Sequence, residues 1–88
     1  MRQNAPWNDP LVLWQESVRK SPEKSRPRMM LGLAYQEASM FEQAELELRR
    51  ALALDARNLD AYNILGMTYL KQGRLIEAEQ AIMQALAI

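Results

Sequence analysis

Apolar residues recur along the chain three and four positions apart, with polar and charged residues between them, which is the spacing of a helix that buries one face. Met30, Leu31, Ala34, Tyr35 and Ala38 form one such stripe; Ala44, Leu48, Ala51, Leu52 and Leu54 form the next. The spacing predicts a helix from about Arg26 to Ala38 and a second from about Phe41 or Glu42 to Leu54. The pattern then returns, predicting helices from about Leu59 to Gln72 and from about Ile76 to Ile88. Punctuation fits these limits. Ser25 is placed to cap the first of the four, with Pro27 in its first turn, where a missing N–H costs nothing. Asn58 is placed to cap the third, and Gly73 to close it in the left-handed conformation that glycine adopts cheaply. Ser39 stands at the matching place upstream, so that turn is expected to be costlier or differently shaped. Asp9-Pro10 opens a further helix expected to run to about Ser21.

The two helix pairs are copies of one another at a single fixed offset. Leu31-Gly32 falls on Leu65-Gly66, Tyr35 on Tyr69, Ala44-Glu45 on Ala78-Glu79, and Ala51-Leu52-Ala53 on Ala85-Leu86-Ala87. Phe41 with Leu75, Leu48 with Ile82, Leu54 with Ile88 and Met30 with Ile64 keep their type. A constant period of this length, the distance from Leu31 to Leu65, marks a stack of helix–turn–helix units. Three segments follow: 1–24, a tail and an orphan helix; 25–58, unit one; and 59–88, unit two, ending before any capping helix. Gly32 and Gly66 lie inside helices, where glycine costs about 1 kcal/mol against alanine. That is tolerable if another helix passes close by. Ala44, Ala51, Ala78 and Ala85 play the same part opposite, with Tyr35, Tyr69, Leu48 and Ile82 filling the space between.

Composition narrows the chemistry. The 88 residues suffice for one small domain, and Ala, Leu, Glu, Gln, Met and Arg favour helix over strand. There is no Cys and no His, so the usual general bases, thiol nucleophiles and Cys/His metal sites are absent. The three glycines are too far apart to cradle a phosphate. Glu42, Glu45 and Glu47 cluster on one helix and read as a solvated face, with Glu45 and Arg49 four apart in the favourable order. Neither an enzyme nor a cofactor is expected. No apolar run reaches the ~20 residues of a membrane helix, and the N-terminus lacks a signal-peptide core. Eleven basic residues balance eleven acidic ones. Arg19, Lys20, Lys24, Arg26 and Arg28 concentrate near the start, which keeps nucleic-acid binding open as a minor alternative. Against it stand the zero net charge and aromatics already committed to repeat positions.

Leu31, Gly32, Tyr35, Ala44, Leu48 and Ala51, with Tyr62, Leu65, Gly66, Tyr69, Ala78, Ile82 and Ala85, resemble the signature of the tetratricopeptide repeat. Unit one departs at Arg28, where a large residue is expected, and at Ala56, where a proline is expected. In the same frame Pro22 takes the place of that closing proline, Ser17 matches Ala51 and Trp14 matches Leu48. The orphan helix would then be the second helix of an incomplete unit, with Trp7 and Trp14 packing the end of the array. The resemblance implies an all-α fold, a right-handed α-solenoid of antiparallel helix pairs with about five helices. It also implies a protein–protein interaction scaffold whose first helices line a concave groove for a peptide or protein segment.

Carried over position by position, the groove candidates are Arg26, Met29, Leu33, Gln36 and Glu37 from unit one, and Asp60, Asn63, Met67, Leu70 and Lys71 from unit two. Met29, Leu33, Met67 and Leu70 would make an adaptable apolar floor. Members that grip a carboxylate with Lys and Asn, or that carry an asparagine ladder, are poor matches: this chain has Met29, Leu33, Met30 and Ile64 at those places. The apolar pattern runs to Ile88 without a stop signal, as in an excerpt of a longer protein. An exposed strip of Ala78, Ala81, Ile82 and Ala85 is expected there, able to drive self-association. Finally, Trp7-Asn8-Asp9, Leu13-Trp14, Val18 to Pro22 and Lys24 to Pro27 resemble the start of the repeat tail of many-spanning, glycosyltransferase-like membrane proteins. That resemblance implies an extracytoplasmic, membrane-tethered tail; without it a cytoplasmic location is expected.

Overall fold

Five helices account for most of residues 9–88, the part of the chain that the computed structural model describes. They are α1 (Pro10–Lys20), α2 (Ser25–Glu37), α3 (Phe41–Leu54), α4 (Leu59–Lys71) and α5 (Leu75–Ala87). Trp7 and its packing role lie outside the described residues. Each helix packs on its neighbours in the chain, and α2 also touches α4. The result is an all-α stack of helix pairs, 43 × 29 × 16 Å, without a strand among the described residues.

Local chemistry sets the helix limits. The Asp9 carboxylate accepts from Leu11 N–H at 2.9 Å, and Pro10 occupies the first turn of α1. The Asn58 side chain accepts from Ala61 N–H at 3.1 Å and caps α4. Ser25 departs from its expected role. It is the first residue of α2 rather than its cap, and Lys24 in the cap position makes no side-chain cap bond. The Ser25 hydroxyl instead donates to Ala51 O at 2.8 Å and accepts from Asn58 Nδ2 at 2.9 Å, tying three segments together.

Both units close their first helix identically. Met40 N–H reaches back to Tyr35 O and Ser39 N–H to Gln36 O; one repeat later, Arg74 N–H reaches Tyr69 O and Gly73 N–H reaches Leu70 O. The closing residues have φ values of 61° for Ser39 and 75° for Gly73. The turn of unit one therefore has the same shape, and Ser39 carries the left-handed strain, about 1 kcal/mol, that Gly73 avoids.

The core runs across the units rather than within each. Met29, Leu48, Ala51, Ala61, Leu65, Tyr69, Ala78 and Ala81 form one buried cluster flanked by Met30, Leu52 and Ile64. The close approach expected at the helical glycines is present. A Cβ on Gly32 would lie 2.7 Å from Leu48 Cγ, and one on Gly66 would lie 2.8 Å from Ile82 Cδ1.

Candidate partner-binding surfaces

The polar contacts between helices repeat with the period of the sequence. Gln15 of α1 donates to the Tyr35 hydroxyl of α2 at 3.2 Å. Arg49 of α3, the repeat equivalent of Gln15, donates to the Tyr69 hydroxyl of α4 at 2.6 Å. Thus the polar contact between α1 and α2 uses the repeat equivalents of the residues that join α3 to α4. At the second junction the Tyr69 hydroxyl also donates to Glu45 at 3.1 Å. Arg74 completes the cluster: it pairs with Glu45 at 3.0 Å and lies 4.6 Å from the centroid of the Tyr69 ring. Burial pushes the Glu45 carboxyl up, but hydrogen bonds from Arg49, Arg74 and Tyr69 outweigh it and hold the group below the usual carboxylate range. Burial, then the bond to Glu45, raises the Tyr69 phenol.

The acidic cluster on α3 is therefore not the solvated face expected of it. Only Glu42 is exposed. Glu45 joins the units, and Glu47 is buried, accepting from Arg28 at 3.0 Å and from Arg50 at 3.1 Å. Arg28 also donates to Pro22 O at 2.9 Å. This explains the departure from the repeat signature. Arg28 and Glu47 in unit one stand where Tyr62 and Ala81 stand in unit two, so an ion pair replaces an aromatic on an alanine. Neither position matches its repeat partner, and that paired mismatch was the available signal.

The ten groove candidates divide. Leu33, Gln36, Asn63 and Met67 line one cleft of about 280 Å³ between α2 and α4, together with Ile64 and Ile82. Met67 is 53% exposed at its centre. Gln36 forms a wall but offers no free amide, being 5% exposed and donating to Thr68 Oγ1 at 3.0 Å and Ile64 O at 3.3 Å. Met29 is a correction. It is 4% exposed and belongs to the core, because α3 and α4 pack over the face it occupies. Its repeat partner Asn63 is exposed, having no such cover. Leu70 lies in a different cleft, with Leu75, Ala78, Glu79, Ile82 and Met83. Arg26, Glu37, Asp60 and Lys71 are exposed but line neither cleft. Ile64 and Ile82, not among the ten groove candidates, also line the cleft between α2 and α4.

The strip expected on α5 is also corrected. Ala78, Ala81 and Ala85 are buried, and only Ile82 of the four is exposed. The exposed apolar residues of α5 are instead Leu75, Ile76, Met83 and Leu86, with Ile82. In the basic stretch Arg19 is paired with Glu16 and Arg28 with Glu47, while Lys20, Lys24 and Arg26 make no ion pair among the described residues. No helix among the described residues is long and apolar enough to cross a membrane.

Paired antiparallel helices, a fixed repeat period, close glycine–side-chain contacts and a shallow cleft between successive first helices define a stacked helical-repeat scaffold. Two models of the tetratricopeptide repeat match the sequence, one over residues 25–58 and the other over residues 47–80. The chain belongs to the tetratricopeptide repeat family. The second match begins inside α3, out of phase with the first, as a continuous stack allows. Repeats of this family generally mediate protein–protein interaction and are typically non-enzymatic scaffolds. No curated protein matches the chain.

Proposed function

We propose that the cleft between α2 and α4 binds an extended or helical segment of a partner protein through apolar side chains. One observation carries this reading. Leu33 and Met67, equivalent positions in the two units, come from successive first helices and share one largely apolar cleft, with Ile64 and Ile82 beneath. The charges around it do not sum to one sign: Arg26 and Asp60 stand at one end of the two helices, Glu37 and Lys71 at the other. Apolar anchoring rather than net charge would then supply the affinity, and Met67 and Leu33 can adapt to differing side chains.

The test uses peptides selected from a displayed random library and titrated into the isotopically labelled chain. Binding should shift the amides of Leu33, Asn63, Ile64 and Met67. Met67→Glu should weaken it about tenfold, since a carboxylate would be buried against apolar side chains. Leu46→Glu, at an exposed position on α3, should leave it unchanged. Selected peptides that perturb other surfaces, or that bind the Met67→Glu chain equally well, would remove the reading.

A second reading rests on the wording of residues 7–27, similar to the membrane exit of many-spanning sugar-transfer proteins. In it the same cleft holds a polypeptide acceptor outside the cytoplasm. The full reading frame decides: membrane-spanning segments preceding residue 1 favour it, and a stop codon directly upstream eliminates it.

A further inference from the structure

The departure of unit one from the repeat signature leaves a charge that the fold does not use. Glu47 accepts from Arg28 Nη1 on one carboxylate oxygen at 3.0 Å and from Arg50 Nη1 on the other at 3.1 Å. Two guanidinium groups thus share one carboxylate. Arg28 is the structural partner, mostly buried and held a second time through its Nε on Pro22 O. The Arg50 side chain is 52% exposed, and its Nε and Nη2 have no partner among the described residues. That is the edge of a guanidinium that takes a carboxylate in two parallel bonds. Both arginines line a cleft of about 280 Å³ whose remaining walls, Pro22, Ala53 and Leu54, are apolar.

The repeat supplies an internal control. Ala56, Tyr62, Gln84, Ala87 and Ile88 hold the same positions in unit two, and none carries a side-chain charge. Position by position the two sets have the same burial, although unit one is followed by the α4–α5 pair. This face therefore stays open when another helix pair packs behind it. The same end of the stack, where Asn58 is bonded to Ser25, also carries Lys20, Lys24, Arg26 and Arg57 against Glu23, Asp55 and Asp60. None of these seven makes an ion pair among the described residues, so the surroundings do not cancel the surplus charge of the cleft. A basic edge beside an apolar wall favours a partner that is acidic and apolar.

We propose that this cleft binds an acidic segment of a partner protein, in which a glutamate or aspartate stands beside a large apolar residue. The carboxylate accepts from Nε and Nη2 of Arg50, and the apolar side chain covers Ala53 and Leu54. A nucleic acid fits less well, because one surplus charge is no phosphate track and no aromatic side chain lines the cleft. The site shares no residue with the α2–α4 groove and does not depend on it.

The probes are a capped peptide alternating glutamate with leucine, its glutamine–leucine counterpart, and a short oligouridylate. Titrated into the labelled full chain, the glutamate peptide should saturably shift the amides of Arg50, Ala53 and Leu54 and the Nε–H signal of Arg50. The glutamine peptide should bind about tenfold more weakly. Arg50→Gln copies Gln84, sits at an exposed position and keeps the pair of Arg28 with Glu47. It should abolish the difference between the two peptides, whereas Leu54→Ser should weaken both. The proposal is overturned if α3 does not respond, if the two peptides bind the wild-type chain alike, or if Arg50→Gln leaves their difference in place. It is equally overturned if the glutamate peptide shifts Lys20, Lys24, Arg26 and Arg57 but not Leu54, as a diffuse attraction to that end of the stack would. Tighter binding of the oligouridylate than of the glutamate peptide at Arg50 would assign the cleft to nucleic acid, and that also overturns it.

Discussion

At the residue scale, the two helical glycines look equivalent in sequence but do not have equivalent surroundings. A methyl on Gly32 meets Leu48 Cγ, a branch point on a side chain with no exposure, and the Ala44 carbonyl stands 3.2 Å away. Nothing there can yield without moving α3. A methyl on Gly66 meets Ile82 Cδ1, the far end of a side chain that is 37% exposed, and the nearest backbone atom is 3.6 Å away. Ile82 can swing towards solvent. Gly32→Ala should therefore destabilise by about 1–2 kcal/mol, the overpacking cost exceeding the gain in helix propensity. Gly66→Ala should be neutral or stabilise by up to about 1 kcal/mol, because the propensity gain survives. Urea unfolding of the two variants measures both, and equal shifts of the midpoint would contradict the distinction.

At the element scale, the helices were legible because their signals are local: apolar spacing, Asp9 and Asn58 as caps, Gly73 as a stop. What the sequence hid was set by the neighbouring unit. Met29 and Asn63 occupy one register, as do Gln36 and Leu70, yet the first of each pair is buried, with α4 packed beside it, and the second is open. A single-helix pattern carries no record of that cover. The alanines of α5 misled for a related reason: their small size seats them against α4 and turns Leu75, Met83 and Leu86 outward. The pairing of Arg28 with Glu47 was hidden because it occurs in one unit only. It also gives a prediction. Glu47→Ala should cost about 2–3 kcal/mol, somewhat less than breaking a fully buried pair because Arg28 keeps some exposure. Arg28→Tyr with Glu47→Ala, which copies Tyr62 and Ala81, should recover most of it. A double-mutant cycle by chemical unfolding reads the coupling directly. Additive losses would show that the two residues act independently.

At the scale of the whole molecule, a stack is only as rigid as its junctions, and the junction between α3 and the α4–α5 pair has its polar contacts centred on Glu45. The carboxyl gathers Arg49, Arg74 and the Tyr69 hydroxyl, and its folded pKa lies below the ordinary value of 4.5. A lowered folded pKa contributes stability that is full above that ordinary value and is lost as pH falls through the folded one. Acid should therefore loosen this junction, first releasing Arg74 and Tyr69 and then exposing the seam of the core. The wild-type unfolding midpoint should decline as the pH falls below about 4.5. Glu45→Gln should already be less stable near neutrality, because it leaves Arg49 without its carboxylate and Arg74 with Glu77 alone, and its decline in acid should be shallower. Amide exchange locates the effect: in acid, protection should fall at Tyr69 and along α5 before it falls in α2. Parallel pH curves for the two proteins, or uniform loss of protection along the stack, would show that the units are held together by their apolar seam alone.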